Sequence, residues 1–200
     1  IDLNSEYNFG QSVNCAKRDV NTKNYVPTDF TKEAIEGFIS GRTILAEATA
    51  AGSLSADQET ALNTAIEQAV GAWEKCIAAT VVHYINDTRD DIAKFTDGNY
   101  ADLDNFYNLA KHWSEMKGFA LGLQFSPYSP FRDELGGLKM IDYGNSEPAT
   151  LEDVLSWMGN EPVLADDTDT AIAEYDAALL NARNVLQAAY GFATENVENW

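Results

Sequence analysis

The stretch that decides the fold is residues 55–95, which read SADQETALNTAIEQAVGAWEKCIAATVVHYINDTRDDIAKF. Apolar residues recur in it at the spacing of an amphipathic helix, namely at Leu62, Ile66, Val70, Trp73, Ile77, Val81, Tyr84, Ile85, Ile92 and Phe95. A capping box, Ser55-Ala56-Asp57-Gln58, begins the helix, and Asp97-Gly98-Asn99 ends it. The stretch therefore predicts a helix of about 40 residues, roughly 60 Å long, whose apolar stripe other helices must cover.

Shorter helical patterns precede and follow this central helix. They cover about residues 7–19, 28–51, 100–122, 150–158 and 166–199, with capping residues at the start of several of them. The period-two alternation that marks half-buried strands is nearly absent. The sequence therefore predicts an all-α fold, an up-down bundle of four main helices plus short N-terminal and loop helices, in one domain over residues 1–200.

Details of the flanking segments carry further expectations. Arg42 lies inside the apolar stripe of the 28–51 helix, so we expect it to be buried against a carboxylate or carbonyl partner. Gly118 and Gly122 lie four residues apart, a spacing that lets a neighbouring helix approach closely. Residues 124–149 are rich in aromatic residues, proline and glycine but have no helical period, and irregular segments of this length are often functional.

Acidic residues dominate the composition. The chain has 200 residues and carries 32 Asp and Glu against 13 Lys and Arg, a net charge of −19. Such a surface repels nucleic acid and anionic lipid, and it favours cations, basic partners or simple solubility. No run of 18 apolar residues occurs, so we expect no transmembrane span.

The two cysteines, Cys15 and Cys76, allow two interpretations. In a secreted protein the pair forms a disulfide, and closing so long a loop would stabilise the fold by roughly 4 kcal/mol. In the other interpretation both are buried free thiols that act as small hydrophobic side chains. No CxxC motif and no Cys/His cluster is present, which argues against a structural zinc site.

The two histidines of the chain, His83 and His112, are predicted to meet. An antiparallel hairpin about the turn at residues 97–99 places them at the same height on adjacent helices. Asp87 lies one turn from His83, and Glu115 lies one turn from His112. If the two faces meet, these four side chains form a site for a divalent or iron cation, or for proton transfer. The alternative is structural, with each histidine bonding a neighbouring carboxylate or carbonyl at the core edge.

Other signals for chemistry are weak. Carboxylates crowd residues 87–91, 97–104 and 166–169, but their spacing matches no EF-hand loop, and helix capping accounts for the last group. The sequence has no GxSxG motif, no HExxH motif and no glycine-rich phosphate loop. We therefore predict no catalytic residues and no residues for an organic cofactor.

Residues 79–88 (ATVVHYINDT) and 111–127 (KHWSEMKGFALGLQFSP) resemble a family of bacterial envelope proteins known as domain of unknown function 4856. The similarity covers most of the chain, from about Tyr7 onward. Members of that family carry export or lipoprotein signals and are often longer. The resemblance implies a location in the periplasm or at the outer membrane, and it implies a shortened relative or the C-terminal part of a longer precursor. The start at Ile1, without a signal peptide, fits a mature or trimmed product.

The chain is also similar, more loosely, to imelysin-type proteins, helical bundles linked to iron acquisition and once described as peptidases. Their mark is a glycine two residues before a His-x-x-Glu motif. Here His112-Trp113-Ser114-Glu115 supplies the histidine and the glutamate, and Ala110 stands in place of the glycine. The resemblance implies a metal-binding role for His112 and Glu115.

These patterns together predict an exported, non-enzymatic envelope protein that binds iron, another cation or a small ligand. Its predicted site residues are His83, Asp87, His112 and Glu115. Two alternatives stay open. An interaction subunit without its own ligand would use the aromatic segment 125–143 against an envelope partner. A metallopeptidase would use the two histidines without an HExxH motif.

Overall fold

The structure is a computed structural model, and it describes residues 14–19, 25–95, 103–145, 147–164 and 167–200. The helices are α1 (Phe30–Ala51), α2 (Ala56–Ala93), α3 (Leu103–Gly122), α4 (Leu151–Trp157), α5 (Asp169–Tyr190) and α6 (Thr194–Val197). The predicted all-α helical bundle is confirmed, with α1, α2, α3 and α5 as its main helices. The expected turn at residues 97–99 and most of the expected 7–19 helix lie outside the described residues, although residues 14–16 are helical.

The central helix α2 is 38 residues long and begins as the sequence predicts. The Ser55 side chain accepts a hydrogen bond from the Gln58 backbone N–H at 3.3 Å, and the Gln58 side chain accepts one from the Ser55 N–H at 3.0 Å. This reciprocal pair satisfies two backbone donors that a helix start leaves without partners. Because α2 is so long, different partners can cover its two halves.

The first half of α2 packs against α1, and its second half packs against α3 and α5. The second half holds the densest part of the core, where Val81, Val82 and Ile85 are fully buried. The large buried side chains that meet them come from α3, α5 and the loops, namely Leu109, Met116, Leu123, Phe131, Met158, Leu179 and Leu186. The site described below lies on this second half.

Helix α1 packs on a face that the sequence interpretation did not select. Its buried residues are small, apart from Phe30, and include Ala34, Gly37, Gly41 and Ala48. A Cβ atom on Gly37 would stand 2.8 Å from both the carbonyl oxygen of Ala65 and the amide nitrogen of Ala69. The backbones of α1 and α2 therefore approach closely here because Gly37 has no side chain.

The larger apolar residues of α1 point away from α2. Ile35, Phe38, Ile39 and Leu45 are all about half exposed. Arg42 is exposed as well, so the expectation that it is buried with a partner is wrong. The expectation of a close helix approach at Gly118 is also wrong, because among the described atoms nothing would lie within 4 Å of a Cβ at this position. The close approach occurs on α1 instead.

The start of α1 is tied to the preceding segment 14–19 by a buried carboxylate. Asp19 accepts hydrogen bonds from the backbone N–H groups of Phe30 at 2.8 Å and Thr31 at 2.7 Å. The exposed side chain of Asp29 also caps this helix, because its Oδ1 accepts a hydrogen bond from the Lys32 backbone N–H at 3.1 Å. Burial alone would raise the pKa of Asp19, but the hydrogen bonds from Thr31 and Phe30 outweigh it and hold the pKa below its ordinary value.

Replacing Asp19 by asparagine is expected to destabilise the protein by about 1–2 kcal/mol at pH 7, because one charge-assisted bond to the helix start is lost. Because the pKa of Asp19 is lower in the folded state than in the unfolded state, its ionised carboxylate stabilises the protein above about pH 4. This stabilisation is lost as the pH falls through the folded-state pKa. The gap between wild type and Asp19→Asn should therefore shrink at pH 3. Urea unfolding at the two pH values measures it.

The control for that experiment is Asp29→Asn, at the exposed cap of the same helix. Asparagine caps helices as well as aspartate does, so its unfolding free energy should change by less than about 0.5 kcal/mol. An equal loss in both variants would contradict the role given to Asp19.

The last predicted helix ends earlier than expected. It was predicted to run to about residue 199, but α5 stops at Tyr190 because Gly191 adopts a left-handed conformation with φ of 67°. The Gly191 N–H donates to the carbonyl of Gln187, which satisfies one of the last carbonyls of the helix. The chain then turns back, and the Phe192 and Trp200 rings meet edge to face with centroids 4.9 Å apart.

The remaining segment is irregular as predicted over its described residues, 123–145 and 147–150, and contains two isolated antiparallel β-bridges, Arg132–Leu138 and Ile141–Ala149. Phe131 is fully buried and anchors it to the core. The predicted short helix follows as α4, and it begins with a capping box at Thr150. In the part of the chain that the structure describes, no helix is both long enough and apolar enough to cross a bilayer.

Candidate functional site

The candidate site lies where α2 and α3 run side by side. His83, Asp87 and Asp91 follow one another on α2 at intervals of four residues, so their side chains share one helix face. This face is turned towards α3, which contributes His112. The sequence therefore places three polar side chains in a row beside the apolar stripe, and the packing of α3 brings the fourth to them.

The two imidazoles meet at the carboxylate of Asp87. The Nε2 atom of His83 lies 3.2 Å from Asp87 Oδ2, and the Nε2 atom of His112 lies 3.7 Å from the same oxygen. Three of the four predicted site residues are thus brought together. The register differs from the expected one, since His112 lies level with Asp87 and Asp91 rather than directly opposite His83.

Asp91 is the member of the cluster that the sequence interpretation missed. It is 2% exposed, and its Oδ2 lies 2.7 Å from His112 Nδ1 while its Oδ1 accepts a hydrogen bond from Lys94 Nζ at 2.7 Å. Because a carboxylate only accepts, His112 Nδ1 carries the proton, and Nε2 is the nitrogen that faces Asp87. The four-residue spacing of His83, Asp87 and Asp91 is the signal that would have identified it.

Glu115 does not join this cluster. It pairs instead with Lys111, four residues earlier on α3, with Lys111 Nζ and Glu115 Oε2 4.0 Å apart. That oxygen is buried and accepts no hydrogen bond from any residue that the structure describes. Glu115 therefore keeps an unsatisfied acceptor one helical turn from His112.

His83 is held in its neutral form. Burial, together with the nearby positive charge of Arg18, lowers its pKa to about 4, although the carboxylate of Asp87 acts in the opposite direction. At neutral pH the ring therefore offers an uncharged nitrogen rather than a cation. That is the form in which imidazole binds metal ions.

The Tyr84 ring forms a shared aromatic wall for both histidines. Its centroid lies 4.8 Å from that of His83 and 6.1 Å from that of His112. From the segment 14–19, Asn14 donates to the Tyr84 hydroxyl at 2.8 Å, and the Arg18 guanidinium lies over the ring at 5.6 Å. The segment 14–19 therefore forms part of the site, which sequence reasoning did not predict.

The cluster borders a cavity of about 710 Å³ between α2, α5 and the end of the chain. His83 and Asp87 line it, together with four of the chain's 13 basic residues, Lys17, Arg18, Arg89 and Arg183. The acidic residues Asp87, Asp90 and Glu198 line the cavity as well, so basic and acidic side chains nearly balance there in a chain whose net charge is −19. The cavity is therefore lined by charged groups of both signs.

Two of these arginines fasten α5 to α2. Arg89 binds Asp176 through two parallel hydrogen bonds, from Nε at 2.7 Å and from Nη2 at 3.0 Å. Arg183 donates to the side chain of Asn86 at 2.9 Å, and its Nε is buried without an acceptor among the described residues. Asn86 in turn donates to the backbone carbonyls of Val197 and Trp200. This network sets the position of the chain end beside the cavity.

The chemistry available here is that of two imidazoles and two carboxylates at the edge of a polar cavity. Within the described ranges, no three His, Cys, Asp or Glu side chains already stand in an arrangement that could hold a metal ion. In the observed state His112 Nδ1 is hydrogen-bonded to Asp91, and both imidazole Nε2 atoms lie within 4 Å of Asp87 Oδ2. These groups could pass a proton or bind a cation.

Comparison with known proteins adds no assignment: the chain matches no protein-family model, no curated protein and no solved structure.

Proposed function

We propose that this protein is a non-enzymatic binding protein of the bacterial envelope that takes up a divalent or iron cation between α2 and α3. His83, Asp87 and His112 would be its ligands. The resemblance of residues 79–88 and 111–127 to an exported family supports the envelope location. The contacts of Asp87 with both imidazoles support the cation.

The observation that carries the proposal is the spacing of the three candidate ligand atoms. Two ligand atoms on one tetrahedral ion, each about 2.1 Å from it, lie about 3.4 Å apart. Asp87 Oδ2 lies 3.2 Å from His83 Nε2 and 3.7 Å from His112 Nε2, one value on each side of that distance. The spacing therefore suits an ion shared by Asp87 and either histidine, and a single ion held by all three would require the two imidazoles to turn towards each other around Asp87.

The surroundings of the three side chains support the same interpretation. Asp91 holds the second nitrogen of His112, as carboxylates commonly do behind metal-binding histidines. His83 is neutral at physiological pH. The unsatisfied oxygen of Glu115 is a candidate fourth ligand that would have to turn towards His112.

The proposal is tested by calorimetric titration of the purified, chelator-treated chain with Zn²⁺, Mn²⁺ and, anaerobically, Fe²⁺. Elemental analysis of the protein as isolated measures any metal that it already carries. Wild type should bind one equivalent of at least one of these ions. Loss of one ligand should weaken binding at least tenfold in His83→Ala, His112→Ala and Asp87→Asn. Glu115→Gln shows whether Glu115 contributes.

The matched control is Asp90→Asn, which removes one acidic charge from the same cavity wall at an exposed position. Its affinity should stay within about threefold of wild type, because a screened surface charge acts weakly. The proposal is wrong if wild type binds none of the three ions, or if Asp90→Asn weakens binding as much as Asp87→Asn.

One observation favours the second candidate, an interaction subunit of an envelope complex. Large apolar side chains in the irregular segment are exposed, most of all Leu135 at 97% and Phe125 at 83%. Exposed apolar side chains that form one patch are typical of surfaces that meet a partner protein, and both residues belong to the same irregular segment. A chain that binds no cation in the titration, and whose solubility rises in Phe125→Ser with Leu135→Ser, would favour this candidate.

The metallopeptidase remains the third candidate. It would require the same bound ion and a water that attacks a peptide carbonyl. A peptide-cleavage assay on the metal-loaded chain, repeated with chelator, distinguishes it from simple binding. Cleavage that chelator abolishes and His112→Ala removes would replace the binding proposal.

A further inference from the structure

Cys15 and Cys76 come together from distant parts of the sequence. Cys15 lies in the short helical turn at residues 14–16, and Cys76 lies midway along α2. Both are free thiols, both are buried in the hydrophobic core, and the two side chains are hydrogen-bonded to each other. Two thiols in direct contact need only a small approach to reach the length of a disulfide bond.

We propose that Cys15 and Cys76 are a redox pair that closes to a disulfide bond under oxidising conditions and so fastens the segment 14–19 to α2. In the structure both cysteines are free thiols, and the proposal adds that the disulfide forms when an oxidant is present. It stands independently of the proposed cation site, since it depends on the two sulfurs alone.

The surroundings of the pair give access to an oxidant. Both cysteines line an apolar cavity of about 250 Å³. Phe38 and Trp73 line the same cavity and are about half exposed, so the cavity extends from the two sulfurs to the surface. The opening between Phe38 and Trp73 is the route by which one sulfur of an oxidant would reach Cys15.

The pair is also chemically asymmetric. The hydrogen bond from Cys76 lowers the pKa of the Cys15 thiol, and the same contact, together with burial, raises the pKa of Cys76. Cys15 is therefore the sulfur that attacks first.

The exchange balances with a disulfide oxidant such as oxidised glutathione. The Cys15 thiolate attacks one sulfur of the oxidant, forms a mixed disulfide and releases one thiol. The Cys76 sulfur then attacks the Cys15 sulfur, which forms the Cys15–Cys76 bond and releases the second thiol. The two protons of the cysteines end on the two released thiols, and the oxidant takes up the two electrons.

The bond would act on the candidate site through the segment that it holds. Lys17 and Arg18 line the large cavity, and Arg18 lies over the Tyr84 ring beside both histidines. Fixing Cys15 on α2 keeps these two cations in place. Reduction would release one of the segment's anchors, while the bonds of Asp19 to the start of α1 would remain.

The experiment treats the full chain with oxidised glutathione or with dithiothreitol, then alkylates it under denaturing conditions and measures its intact mass. The oxidised chain should be monomeric, take up no alkyl group and have lost two hydrogens, whereas the reduced chain should take up two groups. Closing so long a loop should also raise the melting temperature by about 10 °C relative to the reduced chain.

Cys15→Ala and Cys76→Ala provide the controls. After reduction each variant should take up one alkyl group. After oxidation Cys76→Ala should retain one glutathione on Cys15, because no second sulfur resolves the mixed disulfide, whereas Cys15→Ala should still take up one alkyl group. Neither variant should show the rise in melting temperature. Two alkylated cysteines after oxidation, a retained glutathione adduct or a disulfide-linked dimer in wild type would each overturn the proposal. Because the mass measurement on wild type needs no variant, it decides the question even if a variant folds poorly.

Discussion

Replacing Gly37 by leucine is expected to destabilise the protein by about 3 kcal/mol. A Cβ at this position would stand 2.8 Å from two backbone atoms of α2, the Ala65 oxygen and the Ala69 nitrogen. Backbone atoms inside a helix cannot move aside singly, so α1 must shift away from α2 as a unit. Urea unfolding followed by circular dichroism measures the change in the free energy of unfolding.

Gly118→Leu is the matched control, the same substitution in another helix. Gly118 lies within α3 and is exposed, and a Cβ added to it would meet no described atom within 4 Å. Leucine favours a helix over glycine by up to about 1 kcal/mol, so this variant should be slightly more stable than wild type. Equal effects of the two substitutions would contradict the close contact between α1 and α2.

Tyr190→Phe is expected to destabilise the protein by about 3 kcal/mol, because it leaves a buried carboxylate without its donor. Glu74 is 4% exposed, and its Oε1 accepts a hydrogen bond from the Tyr190 hydroxyl at 2.6 Å. Its Oε2 has no hydrogen bond from any described residue. Burial raises the pKa of the Tyr190 hydroxyl, and the negative charge of Glu74 raises it further, to well above its ordinary value. The hydroxyl therefore stays protonated and acts as the donor.

A double-mutant cycle separates the hydrogen bond from the packing of the ring. Glu74→Leu combined with Tyr190→Phe removes both polar groups and should recover most of the stability that Tyr190→Phe loses. The coupling between the two positions should be at least about 1.5 kcal/mol in urea unfolding. Additive effects would show that Glu74 does not depend on Tyr190.

The fold was largely predictable because the signals that specify it are local. The capping boxes at Ser55 and Thr150 and the apolar period of α2 act within a few residues of sequence. The early end of α5 shows the limit of this approach. The pattern of apolar residues continues beyond Tyr190, but the single left-handed residue Gly191 turns the chain back.

The packing face of α1 was not predictable from the pattern of large apolar residues. Ile35, Phe38 and Ile39 stand at helical spacing, yet the buried face is the one with Gly37 and Gly41. Hydrophobicity shows that a helix has an apolar side. Which side of a helix packs against a neighbour depends on how closely the two backbones can approach. For α1 this distance depends on residues of α2, such as Ala65 and Ala69, which lie far from α1 in the sequence.

The sequence by itself determined most of the helices, their antiparallel order, and the placement of His83 and Asp87 on one helix face, because helical periodicity and capping are properties of neighbouring residues. Only the tertiary structure decided that His112 bonds Asp91 and faces Asp87, that Glu115 stands apart, and that Cys15 touches Cys76. Helix rotation and register come from the fit of side chains on separate helices, and no local pattern encodes that fit.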